Sequence, residues 1–254
     1  MKIISYNVNG IRSAMTKGLV NWMQEYAADV YCLQETKASP DQVDLNLFDL
    51  IGYKSWWFSA EKKGYSGVAV FSRIKPDHVE FGFNNKEFDS EGRIVRADFG
   101  DLSVISVYIP SGTTGEERQG YKMVWLDFFE KYILELRKTR PNLVICGDYN
   151  IAHHSIDIHD PVGNKKSSGF LPEEREWLTQ FLAKGFIDTF RSQHSAVQKY
   201  SWWTFRTGAR AKNKGWRIDY NLITEPLKDK LVSADILNSV VHSDHCPILV
   251  ELKK

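Results

Sequence analysis

Leu143-Val144-Ile145-Cys146-Gly147-Asp148-Tyr149-Asn150 is the stretch on which the reading of this chain turns. Four apolar residues in a row, two of them β-branched, predict a strand buried on both faces. The pattern then changes abruptly to a glycine, an acid and an amide. Asp148 and Asn150 are two residues apart and so leave on one face, at the C-terminal strand end where α/β sheets build sites. Glycine, aspartate and asparagine are also common turn residues. Taken alone, the stretch reads first as a strand and an ordinary turn, and the rest of the chain decides.

Working outward, the same form recurs. Residues 2–9 alternate, with Ile4, Tyr6 and Val8 on one face and Ser5, Asn7 and Asn9 on the other. A strand over 29–33 runs into Gln34-Glu35-Thr36, and one over 102–109 carries Tyr108 near its end. In a strand over 217–224, Asp219 and Asn221 oppose Ile218, Tyr220 and Leu222; a buried carboxylate there needs a partner. Ser243-Asp244-His245 precedes a last strand over 246–252. Each residue alone suits a turn, a cap or a surface, but together they fall repeatedly where apolar strands terminate.

Between these ends, strand-like runs at 53–59, 67–72, 79–83, 93–99 and 102–109 are close enough to predict antiparallel pairing. Ser13 is placed as the cap of a helix with Leu19, Trp22, Met23 and Tyr26 as its stripe. Tyr121, Val124, Trp125, Phe128, Tyr132 and Leu136 mark the clearest helix, and Pro172-Glu173-Glu174 opens another that Gly185 ends. Residues 152–171 lack periodicity, a pattern that often marks function. There, His153, His154 and Asp157 read as turn or cap residues. Further strands are expected at 200–205 and 231–237. With no repeat or linker, one domain over 1–254 is expected, an α/β fold of layered mixed sheets with helices outside.

Of 254 residues, 43% are hydrophobic and 26% charged, as in a soluble globular protein with a large core. No apolar run approaches a membrane span, and the N-terminus lacks the features of a signal peptide. Cys32, Cys146 and Cys246 are odd in number, distant and set in apolar segments; buried free thiols in a reducing, cytoplasmic setting are expected. The net charge of +1 leaves any basic footprint local. Such a footprint stands between residues 204 and 218, where Arg206, Arg210, Lys212, Lys214 and Arg217 occur without an acid, flanked by Trp202, Trp203 and Trp216. Charge runs are usually solvated loops; the tryptophans tilt this one toward DNA.

Carboxylates, amides, a tyrosine and one histidine, without a cysteine nucleophile or a glycine-rich phosphate loop, suit phosphate-ester hydrolysis with one hard divalent ion. Mg²⁺ takes one or two carboxylates and keeps several waters. Amide and phenol donors can hold phosphate oxygens, and a histidine poised by a carboxylate can handle the water's proton.

The motifs Ser5-Tyr6-Asn7-Val8-Asn9-Gly10-Ile11-Arg12, Leu33-Gln34-Glu35-Thr36-Lys37 and Tyr108-Ile109-Pro110 match successive motifs of one family. So do 147–153, Gly163-Asn164-Lys165-Lys166, 169–175, Gly215-Trp216-Arg217-Ile218-Asp219-Tyr220 and Ser243-Asp244-His245-Cys246-Pro247. The chain resembles the exodeoxyribonuclease III/AP (apurinic/apyrimidinic) endonuclease family of the DNase I-like (endonuclease/exonuclease/phosphatase) superfamily. Leu33-Gln34-Glu35 and Ser243-Asp244-His245 are shared across the superfamily, whereas the motifs at 163–166, 169–175 and 215–220 point to the DNA-repair branch.

The resemblance implies a four-layered α/β sandwich, two mixed, mainly antiparallel sheets packed face to face with helices outside. It implies a monomeric hydrolase that cuts duplex DNA 5′ to abasic sites, with 3′→5′ exonuclease and 3′-phosphatase or phosphodiesterase activity on blocked 3′ ends. It places the protein in the cytoplasm, at the nucleoid in a bacterium, and off the membrane. Mg²⁺, replaceable by Mn²⁺, would be held by Glu35 with Asn7 and Asp244, and a second ion by Asp148, Asn150 and His245. Asp148 would align or deprotonate the attacking water or protonate the leaving 3′ oxygen, and Asn150 would brace the phosphate. His245, held by Asp219, would touch the phosphate or act as base, and Tyr108 and Asn164 would bind phosphate oxygens. Asn9, Lys166, Arg206 and Arg210 would complete the substrate contacts, while Trp202, Trp216 and Ile218 wall the pocket for a flipped abasic sugar, which has no base to unstack. Ser167 and the small loop Ser111-Gly112-Thr113-Thr114 depart from close relatives and leave the balance of activities open. The alternatives are a phosphomonoesterase or lipid phosphodiesterase on the same scaffold, and a catalytically silent nucleic-acid-binding protein.

Overall fold

The polar strand ends converge because of how the strands pair. The computed structural model describes residues 1–253. One sheet contains β1 (Lys2–Asn7), β2 (Val30–Gln34), β3 (Lys54–Phe58) and β4 (Val68–Ser72). The chain then crosses to a second sheet of β5 (His78–Phe81), β6 (Ile94–Phe99), β7 (Leu102–Tyr108), β8 (Asn142–Asp148), β9 (Phe186–Asp188) and β10 (Asp219–Thr224). It returns to the first with β11 (Leu231–Ile236) and β12 (Ile248–Leu252). The six-stranded orders are β11-β12-β1-β2-β4-β3 and β5-β6-β7-β8-β10-β9.

Each sheet has one parallel pair at its centre, β1 with β2 and β7 with β8, and antiparallel neighbours elsewhere. Parallel neighbours end at the same edge. Asn7 therefore stands opposite Gln34 in the first sheet, and Tyr108 opposite Asp148 in the second. Asp219 opens β10 directly across from Asp148. Gly147 makes the second pair fit, since a Cβ there would lie 1.9 Å from the Val107 carbonyl oxygen.

The sheets face each other across Ile3, Val30, Cys32, Val70, Val104, Val144 and Cys146. The helices α1 (Ile11–Thr16) and α2 (Leu19–Tyr26) cover the outer face of the first sheet, followed by α3 (Asn46–Leu50). After α4 (Lys86–Asp89), α5 (Glu116–Thr139) and α6 (Pro172–Ala183) cover the second, and α7 (Thr189–Gln193) packs beside β10 and β11. The result is the expected four-layered sandwich, and all three cysteines are buried and free.

Several local expectations differ from the fold. The first helix is broken by Lys17 and Gly18, the latter at φ 97°, so Ser13 caps nothing. On α5 the buried line is Lys122, Trp125, Leu126, Phe129 and Ile133, whereas Val124 is 56% exposed. The aromatic residues fit two stripes one position apart, and the inner one includes a lysine that sequence patterning assigns to solvent. Residues 200–205 form no strand: Trp202 makes only isolated bridges to Trp216 and His245. The short β9 carries too few residues for a periodic signal.

The aperiodic segment 152–171 is anchored by charge. Asp157 is fully buried and accepts from Arg217 Nε at 2.7 Å, from Arg217 Nη2 at 3.1 Å and from Arg191. Arg217 also pairs with Asp188 at 2.8 Å. Burial opposes ionisation of Asp157, but the two guanidinium groups prevail and lower its carboxyl to about 2. His153, expected in a turn role, is buried against Thr179 at 2.7 Å, and burial with its neighbour His154 lowers its ring to about 4.

Because Asp157 is lowered on folding, its stabilisation is complete above the unfolded value of about 4 and is lost as pH falls toward 2. The contribution at neutral pH is about 2 kcal/mol. Asp157→Asn should flatten the fall in urea midpoint between pH 4 and 2, and should lower stability at pH 7 by about 3 kcal/mol, because buried Arg217 is left with Asp188 alone and half-buried Arg191 loses its partner. Parallel urea titrations of the two proteins measure both.

Candidate active site

Where the two sheet edges meet, a cleft of about 960 Å³ is lined by Glu35, Tyr108, Asp148, Asn150, Asp244 and His245 at its base. Lys166, Ser167, Trp202, Trp216 and Ile218 form part of its wall, and Ser111, Gly112 and Thr113 another. Part of the sequence-derived set therefore meets in one place, with residues from both sheets.

Asn7 sits at the centre. Its Nδ2 donates to Glu35 Oε1 and to Asp148 Oδ2, each at 2.9 Å, and its Oδ1 accepts from the Asn9 backbone at 3.0 Å. Asn9 in turn donates to Asp244 Oδ1 at 2.9 Å and accepts from Lys37 Nζ at 2.5 Å. Lys37 also pairs with Glu35 Oε2 at 2.7 Å. Burial would raise the Glu35 carboxyl, but Lys37 and the Asn7 hydrogen bond outweigh it and lower the value. Lys37 stands in the motif 33–37, but the sequence gives it no role beside Glu35. Asn9, Glu35, Lys37 and Asn150 all hold positive φ, between 45° and 52°, a strained state for non-glycine residues that concentrates at functional sites.

A second group surrounds His245, which is buried beside Asp148 and Asp219. His245 Nδ1 donates to Asp219 Oδ2 at 2.9 Å, while Nε2 faces Asp148 Oδ2 at 3.8 Å. Ser201 fixes the dyad: its hydroxyl donates to Asp219 Oδ2 at 2.6 Å and accepts from the backbones of Ile218 and Asp219. Nothing in the sequence marked that serine. Burial disfavours the imidazolium, but the charge and hydrogen bond of Asp219, then Asp148 and Asp244, raise His245 to about 10. Asp148 moves upward as well, through burial first and the Asp219 charge second, against the pull of His245. Burial and Glu35 push the Tyr108 phenol well up, so it stays a donor; Arg93 stacks 4.6 Å from its ring and binds its carbonyl at 2.8 Å.

One ligand atom each from Glu35, Asp148 and His245 lie within 4.8 Å of one another, the grouping among the described residues that could hold a metal ion. Two carboxylates and a ring nitrogen fit a divalent cation. The expected ligand set overlaps only in part. Asn7 turns its N–H groups, not its oxygen, toward the carboxylates. Asp244 accepts from Asn9, Ser243 and, at 3.0 Å, Trp202 Nε1. Asn150 donates to the Ile109 carbonyl at 2.9 Å.

The expected substrate contacts also divide. Trp202 and Trp216 meet edge to face at 6.1 Å beside Ile218, and Lys166 and Arg206 are exposed. Asn164 instead closes its own turn, donating to the carbonyls of His159 and Asp160. Arg210 binds the carbonyls of Ser243, Asn238 and Val240 while stacking on Trp203. With Arg217 internal, the outward charges of the basic loop are Arg206, Lys212 and Lys214.

Residues 4–245 match the model of the Endonuclease/Exonuclease/phosphatase family. The chain is 45% identical over 250 residues to an exodeoxyribonuclease of Bacillus subtilis (strain 168), covering 98% of each chain. An AP endonuclease structure from Archaeoglobus fulgidus superposes with a TM-score of 0.92 at 32% identity, over the full length of both. A Neisseria 3′ phosphatase bound to a product DNA hairpin gives 0.93 at 27% identity, again over both full chains.

The geometry makes Asp219 the cause of the raised His245. In Asp219→Asn the ring should titrate well below about 10, because burial then acts with less opposing charge. An NMR titration of the histidine ring resonances reads this directly; an unmoved His245 would assign the shift to Asp148 and Asp244.

Proposed function

The chain belongs to the endonuclease/exonuclease/phosphatase family, in its exodeoxyribonuclease III/AP endonuclease branch, and we propose that it is a Mg²⁺-dependent DNA-repair phosphodiesterase acting 5′ to abasic sites. In this reading it leaves a 3′-hydroxyl and a 5′-deoxyribose phosphate, and trims or dephosphorylates blocked 3′ ends. The observation that carries the reading is the convergence of Glu35, Asp148 and His245 within 4.8 Å, beside a cleft walled by Trp202 and Trp216. Mn²⁺ would serve the same oxygen ligands.

Glu35 is the principal candidate to hold the ion, with Asp148 facing the same space. His245 would hold the ion only as a neutral ring, since an imidazolium has no lone pair to give a metal, and its surroundings favour the charged form. The divalent ion would supply Lewis-acid polarisation of the phosphate and stabilise charge on the departing oxygen.

The chain's own groups divide the rest. His245, cationic and oriented by Asp219, presents Nε2 to the phosphate as a charged donor. An imidazolium has no free pair with which to take a proton, so that duty falls to Asp148. Its upward shift brings it nearer the working pH, where proton transfer is most efficient. The Asn150 backbone N–H donates to Asp148 Oδ1 at 2.8 Å and fixes which carboxylate oxygen faces the cleft. Tyr108 offers a neutral donor to a non-bridging oxygen without adding negative charge.

Trp202 and Trp216 shape a slot suited to a sugar lacking its base. Lys166 and the outward charges Arg206, Lys212 and Lys214 supply the footprint for flanking phosphates. No described helix is long and apolar enough to cross a membrane, and no carboxylate or histidine of the reactive set is missing. Neither the lipid nor the silent-binder alternative has an observation in its favour. Turnover of inositol phosphates without turnover of abasic DNA would reverse the choice.

On an abasic duplex with Mg²⁺, Glu35→Gln should lower incision by about 10²-fold or more and abolish its dependence on added metal. Asp148→Asn should lose about 10²–10⁴-fold in kcat at unchanged DNA affinity. Near-native rates in either variant would remove the role given to that residue. Replacing Lys166 and Arg206 by alanine should weaken binding to all duplexes and reduce the slope of log affinity against log salt by about one per removed phosphate contact.

A further inference from the structure

Beneath the cleft lies an ion pair that the proposed chemistry does not use. Lys122 on α5 and Glu174 on α6 are both fully buried, with Nζ 2.5 Å from Oε1. Sequence patterning assigns Lys122 no role and gives Glu174 only that of an acid in the first turn of a helix. A pair this dry is a poor way to gain stability, because desolvation of both charges offsets their attraction; apolar side chains of similar volume often serve as well or better.

The hydrogen bonds indicate another role. Lys122 Nζ donates to the Asn150 carbonyl at 2.8 Å, on the turn that carries Asp148 and Asn150. Glu174 Oε2 accepts from the backbones of Gly169 at 2.6 Å and Leu171 at 3.0 Å, and Oε1 accepts from Ser168 at 3.3 Å. Those residues belong to the loop that brings Lys166 to the cleft wall. The Gly169 carbonyl in turn accepts from Ala152 at 2.7 Å. Gly169 itself is at φ 93°, and a Cβ there would lie 3.0 Å from Trp216 and 3.1 Å from the Asn150 oxygen.

We propose that the Lys122–Glu174 pair is a positioning device that locks the turn bearing Asp148 and Asn150 to the substrate-facing loop 166–171. This role rests on the phosphodiesterase reading above. A continuous path runs from the loop amides through Glu174 and Lys122 to the Asn150 carbonyl, and from the Asn150 N–H to Asp148 Oδ1. Asn150 stands at φ 52°, a left-handed conformation that asparagine tolerates better than most residues but that its own preference does not fix. Lys122 supplies the outside constraint. Displacement of a reacting group by about 1 Å can cost 10²-fold in rate, so a small relaxation here would be read in turnover before binding.

The double variant Lys122→Met/Glu174→Met removes both charges and leaves no buried ion unpaired. It should unfold thermally below the native protein, because the Gly169 and Leu171 N–H groups and the Asn150 carbonyl lose their partners, yet in its folded fraction keep KM for an abasic duplex within about threefold and lose about tenfold or more in kcat. Glu174→Gln retains an acceptor for the loop amides but leaves the Lys122 cation without its counter-ion, so it should show the same split together with a larger loss of stability, and incision is read per folded molecule if the double variant does not fold. Unchanged kcat in a folded variant, or a loss that merely tracks the unfolded fraction, would overturn the inference. Wild-type incision run alongside tests the underlying reading separately. Amide exchange without substrate gives an answer even if the wild type is inactive on DNA: Glu174→Gln should accelerate exchange at Asn150 and Gly169 together, and acceleration at Gly169 alone would overturn the coupling.

Discussion

The amide of Asn7 donates to two carboxylates that belong to different sheets, and the rest of the site depends on that contact. Glu35, Asp148, Asp219 and Asp244 crowd one cleft, and uncompensated negative charge at this density would drive the carboxyl groups to take up protons. The chain prevents this unevenly. Glu35 has a cation in Lys37 and stays ionised, whereas Asp148 has only neutral donors within 3 Å and a cationic ring at 3.8 Å. Two carboxylates hydrogen-bonded to the same amide nitrogen are thus driven in opposite directions. That separation lets one suit a metal ion and the other a proton.

Such an arrangement requires the sheets to keep a fixed register relative to each other. The parallel pairs at their centres align the strand ends within each sheet, but nothing in backbone pairing joins one sheet to the other. Buried polar contacts do so. Gln34, one residue before Glu35, donates to Ser106 at 3.1 Å and accepts from Ser5 at 3.3 Å, in the layer between the sheets. Polar side chains there carry a desolvation penalty that an apolar core would avoid. Their directionality fixes the sliding freedom that close-packed valines leave open.

How much of this was legible depended on whether the signal was local. The run Leu143–Cys146 announced a buried strand, and Asp148, Glu35 and His245 were found because each interrupts an apolar pattern at a strand end. Trp202, Trp216 and Ile218 line the cleft together as expected. The roles of Lys37, Ser201, Arg93, Lys122 and Glu174 could not be read: they are set by partners between 15 and 52 residues away or by positive φ, and a lysine or serine on a periodic element reads as solvent-facing. Asn164 and Arg210 failed in the other direction. Their residue types suit phosphate, but nearby carbonyls engage them first, and sequence cannot show how a donor is already satisfied.

The same accounting bears on the choice of proton acceptor. A histidine next to an aspartate invites comparison with hydrolases in which the ring takes the nucleophile's proton, a role that needs an imidazole neutral before the reaction. Here three carboxylates surround the ring, and their combined effect exceeds the opposing effect of burial. A ring in this setting favours the charged form, and in the proposed reaction its value would be electrostatic. Asp148 is left as the group whose protonation can change near neutral pH, because burial and Asp219 push it up while His245 restrains it. Asp219 thus acts on both partners with one charge: it keeps the histidine protonated and makes the neighbouring carboxylate more basic. An uncharged residue at 219 would weaken both effects together, so the dyad is better understood as a means of tuning Asp148 than as a relay ending at His245.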